Sequence, residues 1–210
     1  MSDHTVRSYD EELIALSRSL SEMGGIAETM FASSVDALVR SDTQLAQRVI
    51  ATDQRLDILE REIEEKAILT IAKRQPMAVD LRAIITSIRI AADLERIGDL
   101  AKNISKRVVA MNGQFIPQKI AGGVTHMSEL ALERLKTVLD AYMNRDVDTA
   151  LEVWSNDEEI DTLYNSLFRE LLTYMMEDPR NIGFCTHLLF CAKNVERIGD
   201  HATNIAETTH

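Results

Sequence analysis

The chain has 210 residues, a formal net charge of -11, 45% hydrophobic residues and only 5% aromatics. So negative a field repels nucleic acid and anionic lipid, and it disfavours free phosphate unless a metal bridges. Three prolines and eight glycines across the whole length leave long uninterrupted stretches rich in Ala, Leu, Ile, Glu and Arg, which favours helix over sheet.

Helical periodicity runs through six segments separated by breaks near Ser41–Asp42, Arg74–Pro76, Asn112–Pro117, Arg145–Asp146 and Asp178–Pro179. The amino-terminal stretch MSDHTVRSYDEEL lacks the apolar core of a signal peptide. In the first segment Leu13, Leu16, Leu20, Met23, Ala27, Met30 and Phe31 recur at three- and four-residue steps. The second has an apolar stripe of Val49, Leu56, Leu59 and Ile63, flanked by Asp53 and Asp57. The third carries Ile90, Leu94, Ile97, Ala101, Ile104 and Val108, with Glu95, Asp99 and Asn103 expected roughly opposite that stripe. Burial is therefore not expected to shape these acids. Pro76 and Pro179 are placed to begin new helices, and Gly113 to end one. No apolar run approaches the roughly 20 residues of a membrane helix. Cys185 and Cys191 form no C-x-x-C and are expected to be reduced, packed thiols.

The last three segments repeat the first three. Glu95–Ile104 reads ERIGDLAKNI and Glu196–Ile205 reads ERIGDHATNI, identical at eight of ten positions. Asp53 and Asp57 correspond to Asp157 and Asp161, Asp42 to Asp146 and Pro76 to Pro179. The expected fold is all-α: two tandem antiparallel three-helix bundles related by internal duplication, residues 1–114 and 115–210. Long helices with short connections pack in this way.

The duplicated acids carry the functional reading. Carboxylates at i and i+4 stand roughly 6 Å apart on one helix face. Arg96 and Arg197 offer each pair an i, i+3 partner, so a solvated face explains either copy taken alone. The repeat weighs against that explanation, as do the mid-helix glycines Gly98 and Gly199. Each costs about 1 kcal/mol against alanine, and each implies close approach of another segment. Carboxylates from two neighbouring helices make an oxygen-rich, histidine-poor site suited to Mg²⁺, Mn²⁺, Ca²⁺ or iron. The candidate metal ligands are Asp53, Asp57, Glu95, Asp99 and Asn103 in the first repeat, and Asp157, Asp161, Glu196, Asp200 and Asn204 in the second. His201 has Leu100 as its counterpart and reads as a local interaction residue rather than a ligand. No nucleophile and base can be paired, and no phosphate-binding glycine loop is present. Two other readings stand beside the metal site: a metal-free helical adaptor, and a di-metal carboxylate enzyme. The enzyme would need core-facing ligands.

Two three-helix repeats, each with E-R-I-G-D-x-A-x-N-I on its third helix, resemble the PhoU family of phosphate-signalling regulators. The resemblance covers the chain from about Tyr9 to His210. It implies that Glu95, Asp99, Asn103, Glu196, Asp200 and Asn204 match the family's acidic signature, with the second-helix aspartates as companions. Members commonly continue beyond the point matching His210, which implies a shortened last helix. The resemblance further implies a non-enzymatic negative regulator of the phosphate-starvation response and of phosphate uptake. Such a protein links the phosphate ABC transporter's ATPase subunit to a sensor histidine kinase. The implied cofactor is a divalent or multinuclear metal: Mg, Mn, Fe or Zn. The implied location is the cytoplasm, peripheral to the inner membrane through protein partners, with no nucleic acid bound and a homodimer as one assembly.

Overall fold

The computed structural model describes residues 2–155 and 158–209, with side chains from Tyr9 onward. Among these residues the chain forms seven α-helices: α1 (Ser2–Arg40), α2 (Thr43–Arg74), α3 (Val79–Met111), α4 (Gln118–Asn144), α5 (Val147–Ser155), α6 (Glu158–Glu177) and α7 (Ile182–Thr209). A 3-10 turn, Pro179–Asn181, precedes α7. Helices α1–α3 form one bundle and α4–α7 the other, which gives the expected all-α pair of bundles.

The turns repeat as faithfully as the helices. Ser41 and Arg145 both adopt left-handed φ, 53° and 56°. The next residue in each case, Asp42 or Asp146, returns its N–H to the alanine carbonyl five positions back, at 2.9 and 2.8 Å. Their side chains then cap the following helix: Asp42 accepts from the Leu45 N–H at 2.9 Å and Asp146 from the Thr149 N–H at 3.1 Å. One short sequence therefore ends one helix and starts the next, twice.

The segment read as a fifth helix between Asp146 and Asp178 is helical over Val147–Ser155 (α5) and Glu158–Glu177 (α6), and residues 156–157 lie outside the described set. One expectation changes. Pro76 does not begin α3. Gln75 closes α2 in the left-handed region, Pro76 lies in the loop, and α3 starts at Val79. Pro179 does sit at a helical start, in the 3-10 turn capped by Asp178.

Helix α3 packs against α1, α2 and α7, and α7 against α3, α4, α5 and α6. The α3–α7 seam runs antiparallel: Asp93 meets His201, and fourteen residues further along α3, Arg107 meets His187. Since α3 and α7 are the matched helices of the duplication, the seam lies on a local pseudo-two-fold axis. The apolar core runs unbroken through both bundles, from Leu16, Met23 and Phe31 in α1 to Val195, Ile198 and Ile205 in α7.

Candidate functional site

In the first repeat the acids stand where α2 and α3 meet. The helices approach closely because Gly98 lacks a side chain: a Cβ there would overlap Leu56 Cδ1, with Asp53 Oδ1 at 3.8 Å. This is the close approach that the mid-helix glycine implied. Asp53 is buried, only 7% exposed. The expectation that burial leaves the α3 acids untouched is overturned, because α3 packs against α1, α2 and α7. Glu95 has a side chain only 18% exposed. Burial, with the charge of Asp99 second and that of Glu60 behind it, pushes its carboxyl up to about 7. Burial likewise raises the Glu60 carboxyl, with help from Glu64 and Asp57. Asp57 itself is half-buried.

The group that organises this cluster is Lys102, which the motif comparison did not single out. Its ammonium donates to Asp53 Oδ2, and to Asp99 Oδ1 at 2.6 Å. Burial opposes its charge, but the two carboxylates hold it above the ordinary lysine range. Burial would likewise raise Asp99, yet Lys102 holds that carboxyl below its usual range. The signal was present in the sequence as one of the two mismatches in the repeated block: Lys102 stands where the second copy has Thr203. Arg96 adds weak contacts at 3.7 Å to Glu95 and 3.6 Å to Asp99.

The second repeat is arranged differently. Asp161 of α6 and Glu196 and Asp200 of α7 bring one carboxylate oxygen each within 4.8 Å of one another. Among the described residues no such triad forms in the first repeat. Gly199 lets α6 close in: a Cβ there would stand 2.9 Å from Ile160 Cδ1 and 3.8 Å from an Arg134 guanidinium nitrogen. Lys193 pairs with Glu196 at 2.7 Å and lies over the Tyr164 ring. Its side chain is 49% exposed, against 21% for Lys102. The candidate ligand Asp157 lies outside the described residues. A triad of carboxylate oxygens at this spacing fits a hard divalent cation. The first cluster, already holding an ammonium between two of its acids, does not fit one without displacing it.

The two motif asparagines are exposed and line grooves along the α3–α7 seam. Asn103 lies with Lys106, Arg107, Phe190 and Asn194, and Asn204 with Arg89, Arg96 and Glu207. His201 fulfils the local role expected of it, its Nδ1 being 2.8 Å from Asp93 across the seam. Cys185 and Cys191 are buried free thiols, and burial pushes Cys191 up to about 12.

Fold and site together define a class: a duplicated helical-bundle protein with an acidic helix–helix face in each repeat. The PhoU domain matches residues 20–108 and 124–209, and the chain belongs to the PhoU family. It is 65% identical over 207 residues to the "Phosphate-specific transport system accessory protein PhoU homolog" of Rhizobium meliloti (strain 1021), covering 99% of this chain and 87% of that protein. The crystal structure of PhoU from Pseudomonas aeruginosa superposes with a TM-score of 0.92 at 37% identity, covering 96% of both chains. The phosphate transport system regulatory protein PhoU from Streptococcus pneumoniae superposes at 0.87 with 27% identity, covering 96% of this chain and 94% of that one. The family is regulatory rather than enzymatic.

Proposed function

We propose that this chain is a negative regulator of the phosphate-starvation response and of phosphate uptake. It works in the cytoplasm as an adaptor between the ATPase subunit of the phosphate ABC transporter and a membrane sensor histidine kinase. Membership of the PhoU family over both repeats carries this reading. No helix among the described residues is long and apolar enough to cross a membrane, so contact with the membrane machinery runs through protein partners. Exposed apolar side chains suit such contacts: Met77 and Val79 at the start of α3, and Met176 and Ile182 around the start of α7. The antiparallel seam puts these two patches at opposite ends of the molecule.

Asp161, Glu196 and Asp200 would hold a divalent cation, which supplies positive charge that ties α6 to α7. The chain's own contribution is to bring three carboxylates together from two helices, with Gly199 permitting the approach. A regulator of this kind needs different affinities for two states of its partner, because equal affinity for both shifts nothing. A metal-free adaptor is the second reading, and Lys102 favours it for the first repeat.

The test is complementation. In a bacterium deleted for its own PhoU-family gene and carrying a phosphate-starvation promoter reporter, this chain should restore repression in phosphate-rich medium. Asp161→Asn/Asp200→Asn should restore it less well while remaining folded by circular dichroism. A reporter that stays fully on with the wild-type chain expressed and folded would overturn the regulatory reading.

A further inference from the structure

The α3–α7 seam carries a groove toward each end, and the duplication relates one groove to the other. Asn103, Lys106 and Arg107 on α3 match Asn204, Glu207 and Thr208 on α7, at the offset that aligns Glu95 with Glu196. Phe190 and Asn194 on α7 match Arg89 and Asp93 on α3 in the same way. The asparagine is common to both grooves and the charges are not. Around Asn204 stand Arg89 and Arg96 against Asp93 and Glu207. Around Asn103 stand Lys106 and Arg107 with no carboxylate in the lining. Neither cation has a carboxylate partner among the described residues. In a chain of net charge -11 this groove is a local reversal of sign.

The groove is long rather than compact. Asn103, Lys106, Arg107 and Ala110 occupy i, i+3, i+4 and i+7 of α3, a stripe about 10 Å long. Phe190 and Asn194, one turn apart on α7, form the facing wall. Its volume is about 460 Å³, far more than a single small anion fills. Phe190 is 49% exposed. The Arg107 guanidinium lies 4.2 Å from the centre of its ring and has a nitrogen 3.4 Å from His187 Nδ1. Arginine and aromatic side chains dominate many protein–protein contacts, and a straight groove between two helices takes a third laid along it.

We propose that the groove between Lys106–Arg107 and Phe190 docks an acidic amphipathic helix of a protein partner. The helix lays its apolar side on Phe190 and Ala110 and turns its carboxylates toward Lys106, Arg107 and the two asparagine amides. This rests on the adaptor reading for the existence of a partner, but it names the surface and the charge that the partner brings. The acidic remainder of the chain repels such a helix, and the matched groove opposes it with Asp93 and Glu207, so the one surface selects it.

The experiment is fluorescence anisotropy with the full chain and a rhodamine-labelled synthetic helix, leucine along one face and glutamate on the other. A second peptide has glutamine for every glutamate. The acidic peptide should bind wild type and weaken as salt is raised. Lys106→Glu and Arg107→Glu should each bind it about tenfold or more weakly. Arg89→Glu makes the same change of charge in the matched groove and should bind as wild type does. Circular dichroism checks each fold, and Lys106 is exposed, so that arm does not disturb packing. No binding to wild type, equal binding of the glutamine peptide, or undiminished binding by Lys106→Glu would overturn the proposal. So would displacement by inorganic phosphate but not by chloride at equal ionic strength, which marks a site for a small oxyanion. In the reporter strain Lys106→Glu should repress less well than wild type, and Arg89→Glu equally well. If wild type fails to repress while the peptide results hold, the regulatory reading falls and the groove stands. If wild type and Lys106→Glu repress equally, the groove is not the partner's site and the proposal falls.

Discussion

Glu95 shows how much a single side chain's surroundings alter its chemistry. Its carboxyl is raised from 4.5 to about 7, by burial first and by Asp99 second. Because the folded value exceeds the unfolded one, the proton is held more tightly in the folded protein. The stabilisation that protonated Glu95 brings is complete below about pH 4.5 and is lost as pH rises through 7. Glu95→Gln cannot ionise. In chelator-treated protein it should therefore be more stable than wild type at pH 8, by about 1–2 kcal/mol once screening and the link to Asp99 are allowed for. The gain should shrink toward pH 5. Urea denaturation at the two pH values measures it, and an equal difference at both would show that the carboxyl titrates normally.

At the scale of helices, the glycines mark where two elements touch. A Cβ at Gly98 would stand 2.2 Å from Leu56 Cδ1, and Leu56 is fully buried. Overpacking of this kind costs about 1–3 kcal/mol, more than the roughly 1 kcal/mol that alanine returns in helix propensity. Gly98→Ala should therefore be destabilising. Gly199→Ala meets Ile160 at 2.9 Å and should be milder. Gly25 has nothing within 4 Å of a new Cβ, so Gly25→Ala should gain about 0.5–1 kcal/mol. The order of the three midpoints in urea tests the packing.

These contacts also show what the sequence could convey. The breaks at Asp42 and Asp146 and the glycine approaches were readable because local chemistry dictates each: a matched interruption of the helical pattern in both repeats, or a glycine where alanine would serve better. The start of α3 at Val79 rather than at Pro76 was not, because a proline tolerates the first helical turn without requiring one. Nor was the burial of Glu95. An apolar stripe indicates one packing face, but α3 is gripped by three neighbours, and a side chain opposite its stripe can still meet another helix. Lys102 stood in plain view as a mismatch between repeats. Only the fold shows that it reaches Asp53, forty-nine residues earlier on a different helix.

For the whole molecule, the α3–α7 seam decides whether two bundles act as one body. The shared apolar core joins the two bundles, and the Asp93–His201 contact adds a directional pin, both side chains being about one-fifth exposed or less. Such partly buried, charge-assisted bonds are worth about 1–2 kcal/mol. His201→Leu, which installs the residue found at the matched position Leu100, should lose about that much. Asp93→Ala should cost nothing further once His201 is gone. A double-mutant cycle by urea denaturation gives the coupling directly, and a coupling of zero would remove the pin from the account.

The pseudo-two-fold seam has a consequence for ancestry. A homodimer of single repeats meeting through their third helices must place the same residue on both sides of its interface. Every change is then made twice, and self-complementarity limits which changes survive. Fusing the two copies into one gene removes that limit. His201 opposite Asp93, with leucine at the matched site, and Lys102 with threonine at its own, are substitutions that a symmetric ancestor could not have made on one side alone. The two mismatches in the repeated block therefore mark where gene fusion let two identical halves take up different work.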